Sequence, residues 1–110
     1  MKACDFIQAG EHVIVIFTLG GRLEINKDHS GSTGNWTIDP HRKIDRAIIY
    51  YRDESAKKNS VFLATFEGAI LSEQEGKYEI RLNHIQYAGE TSLHWKEFAD
   101  TGSNPIRYLP

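Results

Sequence analysis

Residues 13–17 read Val-Ile-Val-Ile-Phe, and no apolar run in the chain is longer. Five residues fall far short of the ~20 needed to cross a bilayer as a helix. Four of the five are β-branched, which favours an extended backbone. An extended run without a polar face must be covered on both sides. The segment His12–Leu19 is therefore expected to be a central strand.

The other segments are compatible with such a strand. Ile44–Arg52 places Ile44, Arg46, Ile48, Tyr50 and Arg52 on one face, and Asp45, Ala47, Ile49 and Tyr51 on the other. Both faces are apolar in the middle, so its centre is expected to be buried twice over. Val61–Ile70 pairs naturally with it, with Phe62, Ala64, Phe66 and Gly68 on one face and Val61, Leu63 and Thr65 on the other. In Tyr78–Tyr87, residues Tyr78, Ile80 and Leu82 are in phase, but the step from Leu82 to Ile85 is odd. A period of two would send Ile85 to the wrong face. A β-bulge or sharp bend is therefore expected near Asn83-His84.

Shorter signals complete the reading. Gly20-Gly21 between His12–Leu19 and Arg22–Ile25 suggests a hairpin. Asn26–Asn35 is wholly polar and reads as a loop; Asp53–Ser60 and Ser72–Lys77 are further polar breaks. Trp36-Thr37-Ile38 reads as a short strand closed by Asp39-Pro40. Thr91–Ala99 is the best helix candidate, capped by Thr91 or Ser92. The tail from Asn104 is extended, and Ile106 and Tyr108 suit an edge strand. The expectation is a mainly β (α+β) fold: a small curved sheet or pseudo-barrel of about five or six strands with one or two short helices.

A chain of 110 residues has room for one core, so residues 1–110 are expected to form a single domain. A formal charge of −2 argues against tight nonspecific binding to duplex nucleic acid, without excluding a local basic rim. The single cysteine, Cys4, excludes an internal disulfide and every multi-cysteine zinc pattern. A lone thiol fits a reducing compartment. Residues 1–6 show no apolar signal-peptide core, so a cytoplasmic location is expected.

No catalytic signature is present, and no cofactor is implied. His12, His29, His41, His84 and His94 are dispersed. Asp28-His29 and Asp39-x-His41 are the carboxylate–histidine pairs at ligand-like spacing, but a zinc site needs three or four convergent ligands. These histidines read as solvated loop residues. Gly31-Ser32-Thr33-Gly34 fits the G-x-x-G clamp of KH domains, which needs flanking helices that this sequence does not offer. It reads as a surface loop, with closure over a ligand as the alternative.

Aromatic and basic residues point further. Trp36 leaves the polar loop six residues before Arg42, and His41-Arg42-Lys43 with Arg46 forms a basic cluster. Aromatic walls with a basic rim suit a flipped or single-stranded base. The block Trp36-Thr37-Ile38, a polar turn, Ile44-Asp45-Arg46-Ala47-Ile48-Ile49-Tyr50-Tyr51, a loop, then Val61–Phe66 resembles the PUA-like superfamily, especially its EVE and ASCH branches. Ile44-Asp45 stands where that family has Gly-Asp, and Tyr50 or Tyr51 where it has a strand-end aromatic. The likeness spans residues 36–87. It implies a pseudo-barrel whose pocket accepts a modified or flipped base, with Trp36 and Tyr50 as its walls.

Residue chemistry adds three further candidates. Asn35 has both donor and acceptor for a base edge, and Arg42 and Arg46 would contact phosphate. Three functions stay open. One is a non-enzymatic module binding a nucleotide or nucleic acid. Another is a small protein–protein interaction protein, such as an inhibitor or accessory factor. The third is a small hydrolase or nuclease using Asp39, His41 or His84.

Overall fold

The computed structural model describes residues 8, 10–18, 23–39, 41–53, 58–91 and 106–109. They form one mixed sheet of seven strands: β1 (Val13–Thr18), β2 (Leu23–Ile25), β3 (Gly31–Trp36), β4 (Arg46–Asp53), β5 (Lys58–Leu71), β6 (Tyr78–Thr91) and β7 (Ile106–Leu109). The strand order is β2-β3-β6-β5-β4-β1-β7. β1 runs parallel to β4 and every other pair is antiparallel. The fold is mainly β, and no helix is found among the described residues. None of them lies in a helix long and apolar enough to cross a membrane.

The apolar run does take an interior position. β1 lies between β4 and β7, and Val13, Ile14, Val15 and Ile16 are each at most 2% exposed. Alternation divides them between two clusters. Ile14 and Ile16 join Ala47 and Ile49 of β4 in the larger one. Val13 and Val15 join Ile48 and Tyr50 of β4 and Val61 of β5 in the smaller. Fully burying each such aliphatic side chain contributes about 1.5–3 kcal/mol.

The larger cluster shows how the sheet bends. It unites Trp36 at the end of β3 with Ile106 of β7. These strands are five steps apart in the sheet order. In a flat sheet they would be roughly 24 Å apart. The Asp39 amide nevertheless donates to the Tyr108 hydroxyl of β7 at 3.1 Å. The sheet is curled, and the segment leaving β3 reaches its far edge.

The expected bulge is present. Leu63 faces Gln86 and Thr65 faces Asn83, so His84 and Ile85 together lie opposite Ala64. His84 has a φ of 50°. In a bulge whose first residue is left-handed, that residue is ordinarily glycine; here it is histidine. Its amide is satisfied locally by Asn83 Oδ1 at 2.9 Å.

Several expectations are corrected. Among the described residues the strands number seven, where five or six were expected. Gly20-Gly21 does not join paired strands, because β1 and β2 lie far apart in the sheet. β1 needs cover on both faces, whereas β2, with Glu24 and Ile25 exposed, tolerates an edge. The expected loop Asn26–Asn35 is a loop only to Ser30. Gly31–Trp36 is a strand despite its small polar residues, since it pairs with both β2 and β6 and buries Thr33. The expected strand over Trp36–Ile38 is the end of β3, although Ile38 beyond it is still buried. Thr91 is the last residue of β6, and the rest of the helix candidate, with Trp95, lies outside the described residues, as does Cys4.

Gly31 is needed for the close approach of β2. A Cβ there would collide with the Glu24 carbonyl oxygen and lie 2.9 Å from Ile85 Cδ1. Gly31→Ala is expected to lower stability by about 1–3 kcal/mol, as other overpacked sites do. Urea unfolding checks this, and an unchanged midpoint would contradict the approach described.

Candidate functional site

The bulge does more than bend β6. Antiparallel pairing of β3 with β6 stops at Gly31 opposite Leu82. Beyond it, the Ile85 amide donates to the His29 carbonyl at 2.9 Å. The β2–β3 turn is thereby fastened to the bulge, and an open cleft of about 420 Å3 lies between them. That volume falls within the ~300–1,000 Å3 typical of small-ligand sites.

Four elements supply its polar groups. Asp28 and His29 come from the turn, Arg46 and Thr65 from β4 and β5, and His84 and Gln86 from β6. Leu63, Ala64 and Ile85 give it an apolar part. Thr65 faces Arg46 across the β4–β5 ladder. Its hydroxyl lies 3.3 Å from His84 Nδ1.

Two neighbouring carboxylates set the electrostatics. Arg46 Nη1 donates to Glu11 at 3.2 and 3.3 Å, with both side chains largely covered. Glu11 also accepts from the Gln8 amide at 2.9 Å. Asp28 Oδ1 accepts from the Ser30 hydroxyl at 2.6 Å and from the Ser30 amide at 3.1 Å. Those two bonds, the hydroxyl's above all, favour the ionised carboxylate and hold its pKa below the ordinary value. Asp28 therefore faces the cleft as an anion and pure acceptor at neutral pH.

Both cleft histidines have left-handed backbones, at φ 67° for His29 and 50° for His84. No other described non-glycine residue has a positive φ. The left-handed region is disfavoured by roughly 1–2 kcal/mol for a residue with a Cβ. Such outliers cluster at functional sites. Here two of them, from separate elements, border one cleft.

The five residues expected from sequence are not brought together. Trp36 is 6% exposed in the larger cluster, and its indole N–H donates to Thr33 Oγ1 at 3.0 Å. Tyr50 is 1% exposed in the smaller cluster, stacked on Phe17 with ring centroids 5.1 Å apart. The two aromatics thus belong to opposite faces of the sheet. Asn35 is half-buried in β3 beside Trp36. Arg42 is exposed, its guanidinium 4.2 Å above the Tyr108 ring. Of the five, Arg46 borders the cleft.

The alternative catalytic residues divide likewise. His84 borders the cleft, while Asp39 and His41 share a turn elsewhere, the His41 amide donating to Asp39 Oδ1 at 2.9 Å. Asp28, His29, Thr65 and Gln86 were not among the expected site residues. The adjacent Asp28-His29 pair was their visible signal, but it reads equally as a solvated turn. Among the described residues no group of three or more His, Cys, Asp or Glu side chains is placed to hold a metal ion. No family model matches the chain, and comparisons with curated proteins and with solved structures return no match.

The Asp28–Ser30 bonds give a pH prediction. A carboxylate with a lowered folded pKa stabilises its surroundings above the unfolded pKa, and that support is lost as pH falls through the folded value. Acidification below about pH 4 is therefore expected to reduce the exchange protection of the Ile85 amide relative to the amides of β4. Asp28→Ala should show the reduced protection already at pH 6. Protection that is insensitive to both changes would contradict the fastening role of this turn.

Proposed function

We propose that this protein is a non-enzymatic binding module that takes a nucleobase, free or within a nucleotide or nucleic acid, in the cleft beside the bulge. The observation that carries this reading is the pair of left-handed histidines flanking a cleft of small-ligand size. Imidazole rings serve as stacking faces for bases. The Gln86 amide and the Asp28 carboxylate offer a donor and acceptors to a base edge. Leu63, Ala64 and Ile85 suit the flat apolar body of the ring.

Charge favours a base over a phosphate at neutral pH. Arg46 is neutralised by Glu11, and Asp28 adds a negative charge. In this reading the recognising rings are His29 and His84, while Trp36 and Tyr50 support the sheet. The PUA-like resemblance supports the same class of ligand. The contact between Asp39 and Tyr108 supports its pseudo-barrel shape.

A protein partner is the second reading. Ile25 and Ile70 are close to half exposed, and Leu71 is 73% and Tyr87 58% exposed. Exposed apolar side chains of this size favour association when they act together.

Titration with adenosine, cytidine, guanosine and uridine at pH 7.5, followed by amide chemical shifts, separates the readings. Binding is expected to move Thr65, His84 and Gln86 for at least one nucleoside. His84→Ala should weaken it about tenfold, the equivalent of ~1.4 kcal/mol, whereas Trp36→Phe should bind normally. His84→Gly should bind weakly yet be as stable as the parent or up to about 1 kcal/mol more stable, because it relieves the left-handed strain. Unmoved cleft amides at millimolar nucleoside would overturn this reading in favour of the protein partner.

A further inference from the structure

The cleft contains two histidines whose charge the neutral-pH reading leaves unused. We infer that acidification converts it into a site for tetrahedral oxyanions of the phosphoryl class. This inference rests on the reading of the cleft as the ligand site.

With both imidazoles neutral, the charged groups at the cleft among the described residues are Arg46, its partner Glu11, and Asp28. That is one positive charge against two negative ones. Histidine is the side chain whose charge ordinarily changes between pH 5 and 8. Protonating His29 and His84 gives three positive charges against two, so the local balance changes sign.

The described residues that line the cleft with each histidine are these. Thr65 of β5, Arg46 of β4 and Gln86 of β6 accompany His84, and Asp28 accompanies His29 in the turn. Both carboxylates already have donors: Glu11 accepts from Arg46 and Gln8, and Asp28 from Ser30. They are therefore less able to capture the new cations.

Donor geometry supports the same ligand. Once protonated, His84 donates from Nδ1 to the Thr65 hydroxyl and retains its Nε2–H for a ligand. Protonated His29, which also lines the cleft, has two N–H donors. The Gln86 amide adds a neutral donor. Two imidazolium groups from two elements then line one cleft. At about 6 Å in water each added charge improves the binding of a monovalent anion about threefold, and the pair about tenfold.

Sulfate is the cleanest probe because its charge is constant over the range, and inorganic phosphate tests the phosphoryl class directly. Titrations of the whole chain at pH 5.5 and 7.5, read by amide shifts, are expected to show sulfate, a dianion, binding up to about a hundredfold tighter at pH 5.5, and phosphate, which becomes largely monovalent there, gaining about tenfold. His29→Gln and His84→Gln should each remove part of the gain and the double variant all of it, with a native-like spectrum in each case. Equal affinity at both pH values, or a gain that survives in the double variant, would overturn the inference.

The nucleoside titration at pH 7.5 separates the two ideas. Nucleoside binding without acid-dependent sulfate binding sinks the inference and leaves the base reading. Acid-dependent sulfate binding at the cleft amides without nucleoside binding does the reverse.

Discussion

A single extra residue, which sets two residues of β6 opposite one alanine of β5, shapes this molecule. β5 and β6 are the longest strands, and a regular ladder between them would keep a constant register. Side chains beyond Leu82 would then fall on alternate faces in strict order, and Ile85 would leave the main core. The bulge of His84 and Ile85 opposite Ala64 restores the phase. Ile85 returns to the cluster that holds Ile80 and Leu82. The same step increases local twist and bends the strand.

The cleft follows from that bend. The extra residue frees the Ile85 amide from the β3 ladder, and the His29 carbonyl takes it. The β2–β3 turn is drawn alongside β6. Polar residues that begin or interrupt strands, among them Arg46, Thr65 and His84, then gather beside a buried interior. A strained left-handed histidine occupies the position that glycine would fill more easily. Stability alone does not favour that choice, and the residue lines the cleft.

Much of the frame was legible in the sequence. The Val13–Phe17 run marked an interior strand, because no edge position covers two apolar faces. The odd step between Leu82 and Ile85 marked the bulge. β3 was hidden because Gly31-Ser32-Thr33-Gly34-Asn35 has the composition of a loop, and only pairing on both sides makes it a strand. The β1–β2 hairpin was misread for the converse reason: a local Gly-Gly signal was overridden by the need of β1 for neighbours on both sides.

The site was less legible than the fold. Trp36 and Tyr50 looked like pocket walls because sequence does not distinguish an aromatic in the core from one at a mouth. Their burial on opposite faces decides it. Of the candidate basic residues, Arg46 reached the cleft because its strand position carried it there. Asp28 and His29 are brought to His84 by a backbone hydrogen bond spanning more than 50 residues of chain, which no local pattern announces.

The most direct test of this account is the register of β5 against β6, measured by cross-strand nuclear Overhauser contacts in solution. The structure requires Leu63 opposite Gln86 and Thr65 opposite Asn83, with His84 and Ile85 both opposite Ala64. An unbroken ladder, with Ala64 facing Ile85 and Thr65 facing His84, would contradict it and remove the cleft with the bulge.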